Sequence, residues 1–176
     1  MSHWMLLPAL QEVLEQGLTL LKTIDDAAYK AKLSVASDAS VGAHYRHCLD
    51  HFSSLLGGIP LGTIDYDTRK RDPQLETDRR TAAEMTLSLQ RMAGKLEETS
   101  LSDPIRIRCK ISYASDVVPL LHSRLDREIM FCISHAIHHY ALIGMMCRLL
   151  EVPLPDGFGV APSTVKYQRE MAHIRA

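Results

Sequence analysis

Two short stretches concentrate side chains that could bind a metal. In "SHAIHHYALI", residues 134–143, three histidines fall within five positions of an otherwise apolar run. Read as a helix, with about 100° of rotation per residue, His135 and His139 lie about 40° apart, one turn from each other on one face, and His138 lies on the flank. A His-x-x-x-His pair on a helix presents two imidazole nitrogens in one direction, the mechanics by which such pairs grip a cation. The second stretch, "AHYRHCLDHF", carries His44, His47 and His51 at steps of three and four, so these rings also share a face. Two helices of this kind can supply three nitrogen ligands and leave coordination positions open. A metal held that way could lower the pKa of a water to about 7, or stabilise a thiolate. A lone histidine on an amphipathic helix is more often a boundary residue bonded to a carbonyl or to water. Two clusters on different helices change that balance, because burying several unpaired rings costs roughly 1–3 kcal/mol each.

Helices must position these groups, and the hydrophobic period supplies them. Trp4, Leu7, Leu10, Val13, Leu14, Leu18 and Leu21 mark one face of a first helix ending near Thr23, with Pro8 in its first turn. Ser37 or Asp38 is the expected cap of a second helix, 39–56, whose stripe is Val41, Tyr45, Cys48, Phe52 and Leu55. Asp72 and Pro73 read as the cap and first residue of a third helix, 73–98. "PIRIRCKIS", 104–112, alternates aliphatic and basic residues and predicts a short strand. A long fourth helix, 123–151, carries His135 and His139 and is stopped by Pro153 and Pro155. Residues 156–176 read as a loop-like tail with at most a last helical turn, able to cover the site or a seam. The economical architecture is an all-α four-helix bundle forming one domain over 1–176. The connection between the second and third helices is far longer than antiparallel neighbours need, so it predicts that these two run parallel across a crossover.

Other features narrow the function. The formal net charge of −1 gives no electrostatic footprint for nucleic acid. The N-terminal stretch lacks a signal-peptide pattern and is too interrupted for a membrane span, so the expectation is a cytoplasmic protein without a membrane partner. The four cysteines, at 48, 109, 132 and 147, form no Cys-x-x-Cys pair and are expected as reduced thiols. There is no phosphate-binding glycine loop and no nucleophile elbow. Three further residues are candidates for the site. Glu128, two turns before His135, could orient a ligand or serve as a base, or it could pair with Arg124 or Arg127. Arg69 and Arg71 in "DYDTRKRD" could hold an anionic group of a substrate, or fasten their own loop. Cys132 shares the histidine stripe, and packing is its expected role.

"SVGAHYRHCLDHF" together with "SHAIHHYALIG" resembles the DinB/YfiT-like superfamily of metal-binding four-helix bundles, in an element order that covers most of the chain. The resemblance implies parallel second and third helices and a divalent metal, zinc or nickel, bound by one histidine of the second helix and two of the fourth. By position these are His47, seven residues after Ser40, and His135 and His139. Face geometry alone also admits His44 or His51, and His138 adds a further ring. Members resembling this chain include thiol-dependent transferases and isomerases, and others are regarded as metal-dependent hydrolases. The implied partners are a small-molecule substrate, a thiol cofactor and a second copy in a homodimer. The alternative is a non-catalytic protein whose metal staples the bundle or supports a dimer.

Overall fold

The computed structural model describes residues 5–175; Trp4, the first residue of the expected stripe, lies outside them. Four long helices make the bundle: α1 (Leu6–Thr23), α3 (Val41–Gly58), α5 (Arg79–Ala93) and α6 (Leu125–Leu149). Shorter helices α2 (Asp26–Lys30) and α4 (Pro73–Thr77) precede α3 and α5, and α7 (Pro162–Arg175) follows α6. A small sheet of β1 (Thr63–Asp65), β2 (Pro104–Arg108) and β3 (Leu120–Arg124) has the order β1-β2-β3, with β1 parallel and β3 antiparallel to β2.

The bundle closes on apolar stripes of the four long helices, those of α1 and α3 as expected. Leu10, Leu14, Tyr45, Phe52, Leu55, Leu89, Ile129 and Ile143 are almost wholly buried in one contiguous cluster. α6 is long and apolar enough to cross a membrane by length and composition. Here its apolar positions, Leu125, Ile129, Ala136, Tyr140 and Ile143 among them, are core positions of the bundle.

Helix directions follow from the pairs that meet. Arg79 donates to the carbonyl of Leu21 and Gln11 to that of Gln90, so α1 and α5 are antiparallel. His44 meets His139 while the thiol of Cys132 reaches the carbonyl of His51, so α3 and α6 are antiparallel. α3 and α5 are parallel: Tyr45 Oη lies 2.9 Å from Thr86 Oγ1, and farther along Ser53 and Ser54 share a cavity wall with Ser88 and Met92. The crossover between them descends α3 from its end to its start. Tyr66 stacks on His51, Arg69 reaches His47, and Glu76 pairs with Arg46 at 2.9 Å.

Several boundaries differ from the sequence expectation for local reasons. α3 is capped by Ser40, whose hydroxyl accepts from Ala43 N, whereas Ser37 and Asp38 form a tight turn in left-handed backbone conformation (φ 53° and 60°). The expected third helix is two helices. Asp78 leaves helical geometry (φ −124°, ψ 105°) and caps α5 by accepting from Arg80 N, and Gly94 follows the last residue, so the helix stops at Ala93 rather than near residue 98. The expected strand ends at Arg108 and has two partners. One of them, β3, ends with Ser123 and Arg124, which were expected to begin the fourth helix. The tail holds a 14-residue helix, α7. Its side chains are almost all exposed, so no apolar stripe announced it. Before α7, Phe158 stacks on Tyr140 with ring centroids 5.0 Å apart, so this part of the tail covers a bundle seam.

Candidate metal centre

His47 projects from the middle of α3 and His135 and His139 from successive turns of α6. The antiparallel packing of these helices brings the three rings together: one candidate ligand atom from each lies within 4.8 Å of the other two. The Nε2 atoms of His47 and His135 are 3.0 Å apart. Two lone pairs facing across that distance repel unless a proton or a cation lies between them. Nitrogens sharing a tetrahedral zinc would be separated by about 3.3 Å, given bonds of about 2.0–2.1 Å. The donor set and its spacing therefore fit a divalent metal.

The rings are held in the ligand-competent neutral form. Burial, then the neighbouring histidines and Arg69, push the pKa of His47 down to about 3. Burial and the adjacent histidines bring His135 and His139 down to about 4. Unfolded histidine titrates at about 6.5, so below that pH the unfolded chain takes up protons that the folded site refuses. Stability present above pH 6.5 is thus lost progressively as pH falls toward 4. In metal-stripped protein the urea midpoint should be lower at pH 5 than at pH 7, with a smaller fall when His135 and His139 are replaced. Equal midpoints at the two pH values in the parent protein would contradict the neutral-ring arrangement.

The remaining histidines surround this group. His51 donates from Nδ1 to the carbonyl of His47 at 2.9 Å and lies against His135, with ring centroids 4.1 Å apart. His44 and His139 approach through their Nδ1 atoms at 3.1 Å, so one of the pair donates to the other. His138 is exposed beside His139. Among the described residues, the grouped candidate ligands are His47, His135 and His139, the set that the resemblance selected from the alternatives left open by face geometry.

Glu128 is buried, and both of its oxygens accept from hydroxyls: Oε1 from Ser123 at 2.5 Å and Oε2 from Tyr66 at 2.9 Å. Burial and the nearby Cys132 raise the phenol pKa of Tyr66, which keeps it a donor. Glu128 thereby ties the crossover to α6. Arg124 pairs instead with Asp126. Cys132 is buried with its thiol pKa pushed up to about 12 by burial, in keeping with packing. Arg69 places Nη1 2.9 Å from His47 Nδ1. Arg71 is exposed in left-handed backbone conformation (φ 49°), and its charge bears on Asp50. Sequence reasoning gave Tyr66 no role. Its signal was the one aromatic residue in the charged "DYDTRKRD" segment.

The arrangement of α1, α3, α5 and α6, the parallel crossover and the small sheet are the DinB-like fold. The crystal structure of a DinB-like protein, YjoA, from Bacillus subtilis matches 88% of this chain and 98% of its own with a TM-score of 0.61 at 16% identity. By sequence, 118 residues, 66% of the chain, are 32% identical to FK506-binding protein 5 of Rhizopus delemar. The chain spans about a third of the length of that curated relative, the match covering 31% of it. No family model matches the chain.

Proposed function

We propose that this chain is a metal-dependent enzyme of the cytoplasm, a hydrolase or thiol S-transferase acting on a small molecule, with zinc or nickel held by His47, His135 and His139. The observation that carries this reading is the convergence of three neutral, half-buried imidazoles from two helices. Structural metal sites are closed by four protein ligands, whereas three ligands leave a position for water or substrate. A divalent metal there would supply Lewis-acid chemistry that makes a water or thiol nucleophilic at neutral pH.

The chain's own residues have separable tasks. His47 arrives from α3 and the pair from α6, so the site depends on the packing of those two helices. His51 braces the ring of His135 and holds the backbone of His47. Glu128 acts as a positioning residue by holding Tyr66, which stacks on His51 with centroids 5.6 Å apart. Arg69 and Arg71 supply positive charge for an anionic substrate group.

The test compares metal-stripped, zinc-loaded and nickel-loaded protein on activated esters, with and without thiol acceptors. Hydrolysis or thiol transfer should appear only on loading and disappear in His47→Ala. Equal rates in stripped and loaded protein would sink the enzymatic reading. A raised melting temperature on loading without turnover would instead select the metal-stapled bundle.

A further inference from the structure

A cavity of about 660 Å³ lies between α3, α5 and the crossover, and Arg69 is the wall it shares with the histidine cluster. The Arg69 side chain lines the cavity, while its Nη1 lies 2.9 Å from His47 Nδ1 and 3.5 Å from His51 Nδ1. His51 Nδ1 already donates to the carbonyl of His47, so it has no lone pair to offer. The contact that counts is Arg69 donating to His47. Meanwhile Arg69 Nε is buried with no hydrogen-bond partner, an unfavourable placement for part of a guanidinium.

A neutral imidazole has one N–H and one lone pair. When His47 Nδ1 accepts from Arg69, the ring proton sits on Nε2, the nitrogen facing His135. When Nε2 holds a cation, the proton must move to Nδ1, which can then no longer accept. Ligation through Nδ1 would exclude Arg69 more directly still. Arg69 and a metal therefore compete for His47, and an acceptor that draws Arg69 away must strengthen metal binding.

The cavity offers room and a partly apolar lining for such an acceptor. Leu75, Met85, Leu89 and Met92 give it an apolar lining. Of its acids, Asp50 is already paired with Arg46 at 3.0 Å and Asp72 caps Gln74 N, while Glu84 lies exposed near the outside. A carboxylate matches a guanidinium with two parallel hydrogen bonds, and a short acyl chain matches the lining. We propose that this cavity binds a small amphipathic carboxylate whose head group takes Arg69 from His47, so that carboxylate and metal favour each other's binding. The inference rests on the metal reading of His47, His135 and His139, and it names the substrate or effector class of that site. Coupling of this kind is reciprocal and commonly amounts to about tenfold.

The experiment is calorimetric titration of zinc into the full chain, alone, with saturating octanoate, and with acetate at the same concentration. Octanoate should tighten zinc binding about tenfold and acetate should not. Arg69→Gln should bind zinc more tightly than the parent without octanoate and be indifferent to it. Wild-type zinc affinity unmoved by octanoate, or moved equally by acetate, overturns the proposal, and so does an Arg69→Gln variant that binds zinc no more tightly. The parent reading fails separately: in that case zinc binds the His135→Ala, His139→Ala variant as well as it binds the parent.

Discussion

Replacing His135 and His139 together by alanine is expected to take the chain from about one bound divalent metal to none, with affinity falling by more than about 100-fold. Loss of an outer partner of a metal ligand alone typically costs about 10–100-fold, and this change removes two of three ligands. The fold should survive. Both rings are only half-buried, and alanine is the best helix former, so α6 keeps its buried core residues Ile129, Cys132, Ala136, Tyr140 and Ile143. His138→Ala is the matched control, because His138 is an exposed neighbour on the same helix and should leave metal content unchanged. Metal analysis of the three purified proteins reads the result. Equal metal in the parent and the double variant would remove the pair from the site.

The second large effect concerns how the crossover is fastened to α3. A Cβ added at Gly42 would lie 2.1 Å from the carbonyl oxygen of Glu76 and 2.9 Å from the ring of Tyr29. The first of these is backbone and cannot yield as a side chain can. Gly42→Ala must push α4 away from the first turns of α3, and with it the segment that carries Arg69. Overpacking of this kind costs about 1–3 kcal/mol, roughly 2–12 °C in melting temperature for a chain of this size. Gly57, in the same helix, has nothing within 4 Å of its added Cβ. Gly57→Ala should therefore stabilise by about 0.5–1 kcal/mol through lower backbone entropy of the unfolded chain. Thermal melts of both variants separate the two effects, and a fully stable Gly42→Ala would mean that α4 is not docked on α3.

What could be read in the sequence is what rests on periodicity. The stripe Leu10, Val13, Leu14 in α1 and Tyr45, Cys48, Phe52 in α3 repeats at the helical step, so the bundle and the shared face of each histidine cluster were legible. The parallel arrangement of α3 and α5 was legible from the length of the crossover. Capping was read only in part. Asp72 caps α4 as expected, but Asp78 restarts the helix six residues later within an unbroken helical pattern, and Ser40 outcompetes Ser37 and Asp38 because those two are spent on a left-handed turn. β1 and β3 are short and gain their partners from distant segments, which no local pattern records. α7 buries too little to show a stripe.

The candidate histidine ligand of α3 shows the same division. Helical spacing admitted His44, His47 and His51 alike, and only the packing of α3 against α6 separates them. His44 meets His139 at its outer edge, His51 turns its Nδ1 to its own helix, and His47 faces both rings of α6. That selection depends on a helix-to-helix register, which the hydrophobic stripe fixes only to within a turn.

The sharing of one cation by His47, His135 and His139 is tested most directly by X-ray absorption at the zinc edge on zinc-loaded protein, comparing the parent with His47→Ala. The expected spectrum shows three imidazole nitrogens at about 2.0–2.1 Å and at least one oxygen ligand, dropping to two nitrogens in the variant. A sulfur scatterer at about 2.3 Å, or an unchanged nitrogen count in His47→Ala, would place the metal elsewhere and contradict the site.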